Sequence, residues 1–297
     1  MTYVLLLLWL LAADSSGQVV ANIDGQAILM GEVDREVERA LKGRAPPPDT
    51  QAQLRGHALE QLIRRRLVLS YLNRKGQGAS RQDVHLRVEQ IRRQLASRQR
   101  TLDEYLKKTG QTLSELQHRL AWEIAWPPYV SRQLTDKALE KYFQSHRWDF
   151  DGTQLRVSHI LLSVRDDTVL SSMTKAEAIC QEIRSGKISF AEAARKYSTA
   201  PSAEDGGDIG FISRHDPMPE NFSRPAFALE EDAVSDPVVT DFGVHLIQCV
   251  AVKPGEKTWQ EVREPLTAAA TQHLFEWIVQ REQPRAKIER KLSKSEE

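Results

Sequence analysis

The stretch that decides the fold opens with VSHILL at residues 157–162 and closes with TDFGVHLI at residues 240–247. Each segment contains an apolar run beside polar residues, which is typical of a buried strand, and each carries one histidine. Because His159 and His245 lie far apart in the sequence, they can meet only if a sheet pairs their strands. The sequence therefore predicts a sheet that brings two histidines together.

Between these strands lie YSTAPS at residues 197–202 and GGDIG at residues 206–210. Glycine adopts backbone conformations that other residues avoid, so three glycines around one acid predict a tight turn into a short strand. A loop that cradles the phosphates of a dinucleotide needs a different glycine spacing and no acid. We therefore expect no nucleotide cofactor, and the sequence contains no nucleic-acid motif.

The same stretch contains a series of short motifs in a fixed order: SHIL, YSxxPS, GGDIG, a Met-x-x-x-Phe pair and FGVHLI. In these motifs it resembles the parvulin family of peptidyl-prolyl cis/trans isomerases. The resemblance implies an α+β fold, in which residues 153–252 form a four-stranded antiparallel sheet wrapped by about four helices.

An apolar pair, Met218 and Phe222, stands four residues apart at a predicted helix, so we expect both side chains on one helical face. The resemblance implies that this pair forms the pocket for a proline ring, with Ile209 on the facing wall. Without the resemblance, these residues would be interpreted as ordinary core.

Polar catalytic positions follow from the same resemblance. His159 and His245 match a pair of histidines that hydrogen-bond one another near the reacting amide, and Thr240, just before the last strand, matches a hydroxyl of that network. Alone, two histidines in strands would be interpreted as structural residues. Ala200 departs from the pattern, because a cysteine or an aspartate is usual at its position, and alanine can neither hydrogen-bond nor carry charge. Reduced or absent activity therefore stays open.

The chemistry expected of such a pocket makes and breaks no covalent bond. A prolyl bond isomerises over a barrier of about 18–20 kcal/mol that comes from amide resonance. A dry pocket that grips the proline ring and disfavours charge on the carbonyl oxygen favours the twisted amide. No metal, nucleophile or cofactor is required.

Phosphate selectivity within the parvulin family depends on a basic cluster in the loop after the first strand. Here that loop is SVRDD at residues 163–167, which offers one arginine beside two acids. We therefore expect no preference for phosphorylated substrates.

The two cysteines, Cys180 and Cys249, have no further cysteine or histidine at metal-ligand spacing, so no metal site is expected. Two buried thiols are the favoured interpretation. A disulfide stays open, because sequence alone does not give the distance between the two residues.

Residues 1–18 form a candidate signal peptide or anchor. The apolar run from Met1 to Ala13 is shorter than the roughly 20 residues that span a bilayer. It fits the core of a secretory signal with small residues near a cleavage point, although no Lys or Arg precedes it. A weak signal, a start placed too late, an uncleaved anchor and a buried N-terminal core stay open; we favour export to the periplasm or the cell-envelope surface.

Helices dominate the rest of the chain. VVANIDGQAI at residues 19–28 predicts a hairpin followed by a helix, and it resembles the N-terminal segment of exported SurA-like and PrsA-like foldases. Apolar residues recur at helical spacing from His57, from Val84 and from Leu113, and the last of these helices is expected to end at Pro127-Pro128. These stripes, and a cluster of Trp122, Trp126 and Tyr129, are more typical of core than of a client groove.

A last helix is predicted over Trp259–Gln280, after a linker at residues 253–257. In the resembling chaperones this helix folds back onto the N-terminal helices. The expected organisation is a helical chaperone lobe built from residues 19–146 and 257–297, with the parvulin-like domain at residues 153–252 inserted between them.

Charge is balanced overall, with 41 basic and 41 acidic residues, so no general attraction to nucleic acid follows. Residues 51–100 hold 12 Lys or Arg against 3 acids, whereas residues 201–250 hold 2 against 10. Solvated helix faces are the favoured explanation, and a basic surface that attracts acidic clients or an anionic membrane is the alternative.

Two functions from different classes remain. The first is an exported peptidyl-prolyl isomerase that speeds the folding of proline-containing clients. The second is a holdase that binds unfolded polypeptides and whose parvulin domain is catalytically weak. Ala200 favours the second function, and the Met218–Phe222 pair favours the first.

Overall fold

The computed structural model describes residues 17–42, 50–164 and 168–291, which form two compact units. The first unit contains the residues up to Leu134 and those from Thr271 onward, and the second runs from Thr135 to Ala270. The predicted signal or anchor and the loop predicted to lack phosphate selectivity fall largely on residues 1–16 and 165–167, outside the described residues.

The elements alternate between helices and short strands, and the described part of the chain contains the following. They are β1 (Val19–Ile23), β2 (Gln26–Leu29), α1 (Met30–Leu41), α2 (Gln51–Arg74), α3 (Arg81–Ala96), α4 (Leu102–Thr109), α5 (Leu113–Gln133), α6 (Asp136–Ser145), α7 (Arg147–Phe150), β3 (Gln154–Leu162), α8 (Val169–Arg184), α9 (Phe190–Tyr197), β4 (Asp208–Ser213), α10 (Glu220–Ala226), β5 (Val238–Thr240), β6 (Gly243–Lys253), α11 (Arg263–Glu282) and β7 (Ile288–Arg290).

The predicted N-terminal hairpin is confirmed. β1 and β2 pair antiparallel around Asp24 and Gly25, whose φ angles of 50° and 85° are both positive. Such a pair of left-handed residues matches the twist of the strands and defines a tight two-residue turn. The side-chain oxygen of Asn22 accepts the backbone N–H of Gly25 at 2.8 Å and holds the turn.

The core of the first unit joins both ends of the chain. Residues of α2 such as Ile63 and Leu67 are buried in the same cluster as Ile278 and Val279 of α11. After α11 the chain adds β7, which pairs antiparallel with β1 and completes a sheet of order β2-β1-β7. The return of the C-terminal helix to the helical lobe is therefore confirmed, whereas β7 has no counterpart in the sequence predictions.

The expectation that the third helix ends at Pro127-Pro128 is wrong. α5 continues through both prolines to Gln133. Proline removes a backbone donor and crowds the preceding turn, which opposes a continuous helix. Packing offsets this cost: Tyr129, directly after the prolines, is buried, and its ring lies 6.0 Å from that of Trp126 and 6.3 Å from that of Tyr71. The aromatic cluster thus belongs to the core, as the sequence favoured.

The second unit is built on a four-stranded antiparallel sheet of order β4-β3-β6-β5. The helices α8, α9 and α10 and a 3₁₀ turn at Pro201–Ala203 surround it. The predicted α+β class, with a parvulin-like domain inserted in a helical lobe of N- and C-terminal segments, is confirmed.

The two faces of this sheet are covered differently, because successive strand residues point to opposite sides. Ile160 and Leu246 pack against α8 and α9 on one face. Val157 and Ile247 pack with α10 on the other. Cys180 belongs to the first cluster and Cys249 to the second, and both are free, buried thiols. They form no disulfide, which confirms the favoured interpretation.

The division of the chain at Leu134 and Thr271 differs from the domain boundaries expected at residues 146, 153, 252 and 257. α6, which the sequence assigned to the helical lobe, lies in the second unit. The boundaries stay predictions. Among the helices within the described residues, none combines the length and the apolar character needed to cross a membrane.

Candidate functional site

Two histidines meet at the centre of the second unit's sheet. β3 and β6 pair so that Leu161 lies opposite His245 and Ile247 lies opposite His159, which makes the histidines diagonal neighbours on one face. Their Nδ1 atoms are 3.2 Å apart and their rings are stacked with centroids 5.4 Å apart. The predicted encounter of the two histidine-bearing strands therefore occurs.

Thr240 extends this contact into a chain of hydrogen bonds. It is the last residue of β5 rather than a residue before the final strand, and its Oγ1 lies 2.8 Å from Nε2 of His245. The same oxygen accepts the backbone N–H of Phe242 at 3.1 Å. The arrangement that uses the hydroxyl hydrogen has Thr240 donating to Nε2 of His245, which then donates from Nδ1 to His159. Both rings are neutral in this arrangement.

Burial keeps the histidine pair neutral. Burial is the main cause that lowers the pKa of His245 to about 4, and the nearby His159 lowers it further. Burial also lowers the pKa of His159. Desolvation penalises the charged imidazolium, so neither ring carries a proton charge at neutral pH. The site therefore offers neutral imidazoles to the groups beside it.

An aromatic side chain closes the apolar side of the site. Phe222 on α10 is fully buried and stands edge-on to both rings, with centroids 5.8 Å from His159 and 5.4 Å from His245. Met218 and Ile209 are half-buried and pack against the same cluster. The structure thus gathers the three residues predicted for the proline pocket beside the histidines.

The reason given for pairing Met218 with Phe222 is wrong. α10 begins at Glu220, so Met218 precedes the helix and shares no helical face with Phe222. A different contact fixes its position: the backbone oxygen of Met218 accepts the hydroxyl of Ser223 at 3.1 Å. The chain before α10, and not the helical repeat, places Met218 at the cluster.

Ala200 lies in a loop that hangs on β3. The loop is attached by Thr199, whose backbone N–H donates to the oxygen of Leu161 at 2.8 Å. Sequence reasoning missed Ser198, whose Oγ accepts the backbone N–H groups of both Leu161 and Ala200, at 3.1 and 3.2 Å. The YS pair in the loop motif was the available signal. Ala200 itself is buried and presents only a methyl group.

Gly207 shows why the turn after this loop needs glycine. Its φ is 85°, and a Cβ atom there would lie 2.4 Å from the backbone oxygen of His159. The backbone oxygen of Gly207 also accepts the N–H of His159 at 2.8 Å. The glycine turn predicted from the sequence is therefore present, and it fixes the strand that carries a histidine.

Comparison with known proteins identifies both units. Residues 159–251 match the PPIC-type PPIASE domain, and residues 3–127 match the SurA-like N-terminal domain. The foldase protein PrsA of Halalkalibacterium halodurans is 30% identical over 265 residues, which are 86% of this chain and 70% of that relative. This chain belongs to the parvulin family of foldases. The resemblance proposed from the sequence is confirmed.

Other members of this parvulin group are more distant. Chaperone SurA of Methylococcus capsulatus is 24% identical over 265 residues, which are 82% of this chain but only 57% of that relative. Among solved structures, the peptidylprolyl isomerase PrsA from Bacillus anthracis is 21% identical and covers 76% of this chain and 96% of that one, with a TM-score of 0.35. The matches therefore span different shares of these relatives.

The parvulin site contains no arrangement suited to a metal. Within the described ranges, no three His, Cys, Asp or Glu side chains are grouped so that they could hold an ion. The groups that converge on the site are two neutral imidazoles, one hydroxyl and an apolar wall. Such a set can bind an apolar ring and orient an amide without covalent chemistry.

Proposed function

We propose that this chain is a peptidyl-prolyl cis/trans isomerase and folding chaperone for exported polypeptides. The observation that carries the proposal is the neutral pair of His159 and His245, stacked together and backed by the buried ring of Phe222. A parvulin domain combined with a SurA-like domain supports the same function.

The proposed catalysis is non-covalent. The proline ring of a client binds against Phe222, Met218 and Ile209, so the amide enters a site with little water. Amide resonance places negative charge on the carbonyl oxygen, and an apolar site beside neutral imidazoles stabilises that charge poorly. The twisted amide, which has lost this resonance, is penalised less than the planar one. Each reduction of the barrier by about 1.36 kcal/mol speeds isomerisation tenfold.

The polar groups in this proposal position the site. Thr240 holds the ring of His245, and His245 holds that of His159, through the hydrogen bonds at 2.8 and 3.2 Å. Ala200 occupies the remaining catalytic position and contributes contact area only. The methyl group leaves the client carbonyl without a hydrogen bond on that side, so we expect slower catalysis than from a site with an acid there.

The test measures isomerisation of a short Xaa-Pro peptide by protein that lacks residues 1–18. We expect acceleration by the native protein and its loss in Phe222→Leu, which keeps an apolar side chain but removes the ring. Phe211→Leu is the matched control, because Phe211 is half-exposed on β4. A native protein that leaves the rate unchanged at any concentration would overturn the isomerase proposal.

A second candidate function, a holdase with a weak catalytic site, is favoured by Ala200 alone. The variant Ala200→Asp separates the two functions. If the native protein is silent and Ala200→Asp gains isomerase activity, the pocket is a parvulin site that has lost one polar part. Suppression of client aggregation by the native protein then tests the holdase function directly.

The remaining parts of the proposal concern organisation and place. We propose a helical chaperone lobe of residues 19–146 and 257–297 around an isomerase domain of residues 153–252, with residues 1–18 directing export to the periplasm or cell-envelope surface. The partners are unfolded or proline-containing polypeptides. The basic residues of α2 and α3 support association with acidic clients or with an anionic membrane surface.

A further inference from the structure

A cavity of about 540 Å³ lies within the helical unit, away from the isomerase site. The β1–β2 hairpin, α2, the start of α3 and α5 contribute its walls, all within the first compact unit. Ile23, Leu69 and Val84 supply apolar wall, and Arg66, Arg81 and His118 supply polar wall. This size and this mixture of many apolar and few polar groups are typical of a site for an organic ligand.

Arg66 makes the cavity electrostatically unusual. Its side chain is buried, and Nη2 donates to both carboxylate oxygens of Glu32, at 2.9 and 3.1 Å. Nη1 is also buried and has no acceptor among the described residues. A buried charged donor without a partner is costly, and each such group in a folded protein calls for an explanation. Arg66 therefore has unused capacity to bind an acceptor.

A second, smaller cavity of about 60 Å³ shares Arg66, Leu69 and His118 with the first. Gln111 lines this smaller cavity, and its Oε1 is buried without a donor among the described residues. A half-turn of the amide would present an NH₂ group in place of this oxygen. Two side chains with unused hydrogen-bonding capacity thus lie at the same wall.

The charge around the larger cavity also favours an anion. Arg81, the first residue of α3, is exposed and has no ion-pair partner among the described residues. The acid at the rim, Asp24, is engaged by the backbone N–H of Lys287 at 2.8 Å. The ring of His118 is held by Gln26, with Nε2 3.2 Å from Oε1. Positive charge on Arg66 and Arg81 therefore exceeds the free negative charge at the walls.

We propose that this cavity binds a carboxylate carried by an apolar segment of an unfolded polypeptide. The apolar wall takes the segment's side chain, Arg81 pairs with the carboxylate, and Arg66 provides buried positive charge behind it. The inference rests on the proposed chaperone function, because clients supply the carboxylate, and it assigns the client contact to a defined place in the helical lobe. A carboxylate can come from a chain terminus or from an acidic side chain.

Calorimetric titration of the full chain tests this site with three short peptides of one apolar sequence. One has a free C-terminal carboxylate, one has a terminal amide and an internal glutamate, and one has a terminal amide and a glutamine. We expect the third peptide to bind about tenfold more weakly than the better of the first two. The comparison of the first two identifies the source of the carboxylate. Acetate and inorganic phosphate serve as free-anion probes.

Arg81→Gln is the decisive variant, and Arg87→Gln is its matched control. Both arginines are exposed on α3, but Arg87 lies outside the cavity wall and donates to Gln90. We expect Arg81→Gln to weaken the carboxylate peptide severalfold and Arg87→Gln to leave it unchanged. Arg66→Lys should weaken it as well, with circular dichroism used to check that the helical unit remains folded.

Three results would overturn the site: equal binding of all three peptides, an unchanged affinity in Arg81→Gln, or competition by acetate as strong as by the peptide. A native protein that prevents client aggregation yet binds none of the peptides would refute the site while the chaperone function stands. A protein that binds the carboxylate peptide but never prevents aggregation would leave the site in place and refute the chaperone function.

Discussion

Replacement of Gly207 by alanine isolates the effect of one close backbone contact on the isomerase unit. The residue has a φ of 85°, and left-handed backbone costs an alanine about 1–2 kcal/mol. The added Cβ would also lie 2.4 Å from the backbone oxygen of His159 and 3.2 Å from its nitrogen. This oxygen cannot yield easily, because His159 lies within β3, which pairs with strands on both sides.

Relief of the overlap requires the loop to move away from β3. The hydrogen bond from the N–H of His159 to the oxygen of Gly207, now 2.8 Å, would then lengthen or break. A typical backbone hydrogen bond contributes about 0.5–1.5 kcal/mol. Together with the backbone cost, we expect Gly207→Ala to lower the free energy of unfolding of the isomerase unit by about 2–4 kcal/mol.

Gly210→Ala is the matched control for this prediction. Gly210 has a φ of 76°, close to that of Gly207, but an added Cβ there would meet nothing within 4 Å. It should therefore show only the backbone cost, about 1–2 kcal/mol. Native-state hydrogen exchange of the β3 amides gives the free energy of the isomerase unit separately from the helical unit. Equal destabilisation by the two variants would refute the steric argument.

Three further predictions concern the histidine network and its wall. Thr240→Val should leave Nε2 of His245 without its hydroxyl, shift the histidine nitrogen resonances and destabilise the unit by about 1–3 kcal/mol, whereas Thr240→Ser should restore both; unchanged resonances in the valine variant would contradict the assigned network. Because the folded pKa of His245, about 4, lies below its ordinary value of 6.5, the unfolded chain binds protons first as the pH falls; stability should be full above 6.5 and decline towards 4, and His245→Gln should flatten this decline in denaturant titrations at several pH values. Phe222→Ala should cost about 3–5 kcal/mol because the ring is fully buried, while Phe211→Ala, half-exposed on β4, should change the unfolding free energy by less than about 0.5 kcal/mol; similar losses would show that Phe222 is not a packing centre.

The parts of the fold that could be predicted from sequence are those in which local pattern and tertiary packing agree. The strands of His159 and His245 alternate apolar and polar positions as a half-buried sheet requires, and their pairing follows because both histidines occupy one face. Asp24-Gly25 can form its turn in isolation, because the two residues tolerate positive φ. Local chemistry alone defines these elements.

The missed features depend on distant parts of the chain. α5 continues past Pro127 and Pro128 because Tyr129 is buried among aromatic rings, and no local signal at the prolines indicates those rings. Met218 reaches the pocket through the chain before α10, fixed by Ser223, where a helical repeat suggested a shared face. Ser198 is a minor letter of its motif until β3 supplies the N–H group of Leu161.

β7 has a consequence for the order in which the chain can acquire its structure during synthesis. The helical unit needs Ile278 and Val279 for its core and Ile288–Arg290 for its sheet, so it cannot be completed until almost the last residue has left the ribosome. The unit from Thr135 to Ala270 is one continuous segment and can close earlier. During that interval the N-terminal helices wait with an apolar face uncovered, and the foldase itself is, for a time, an unfolded client.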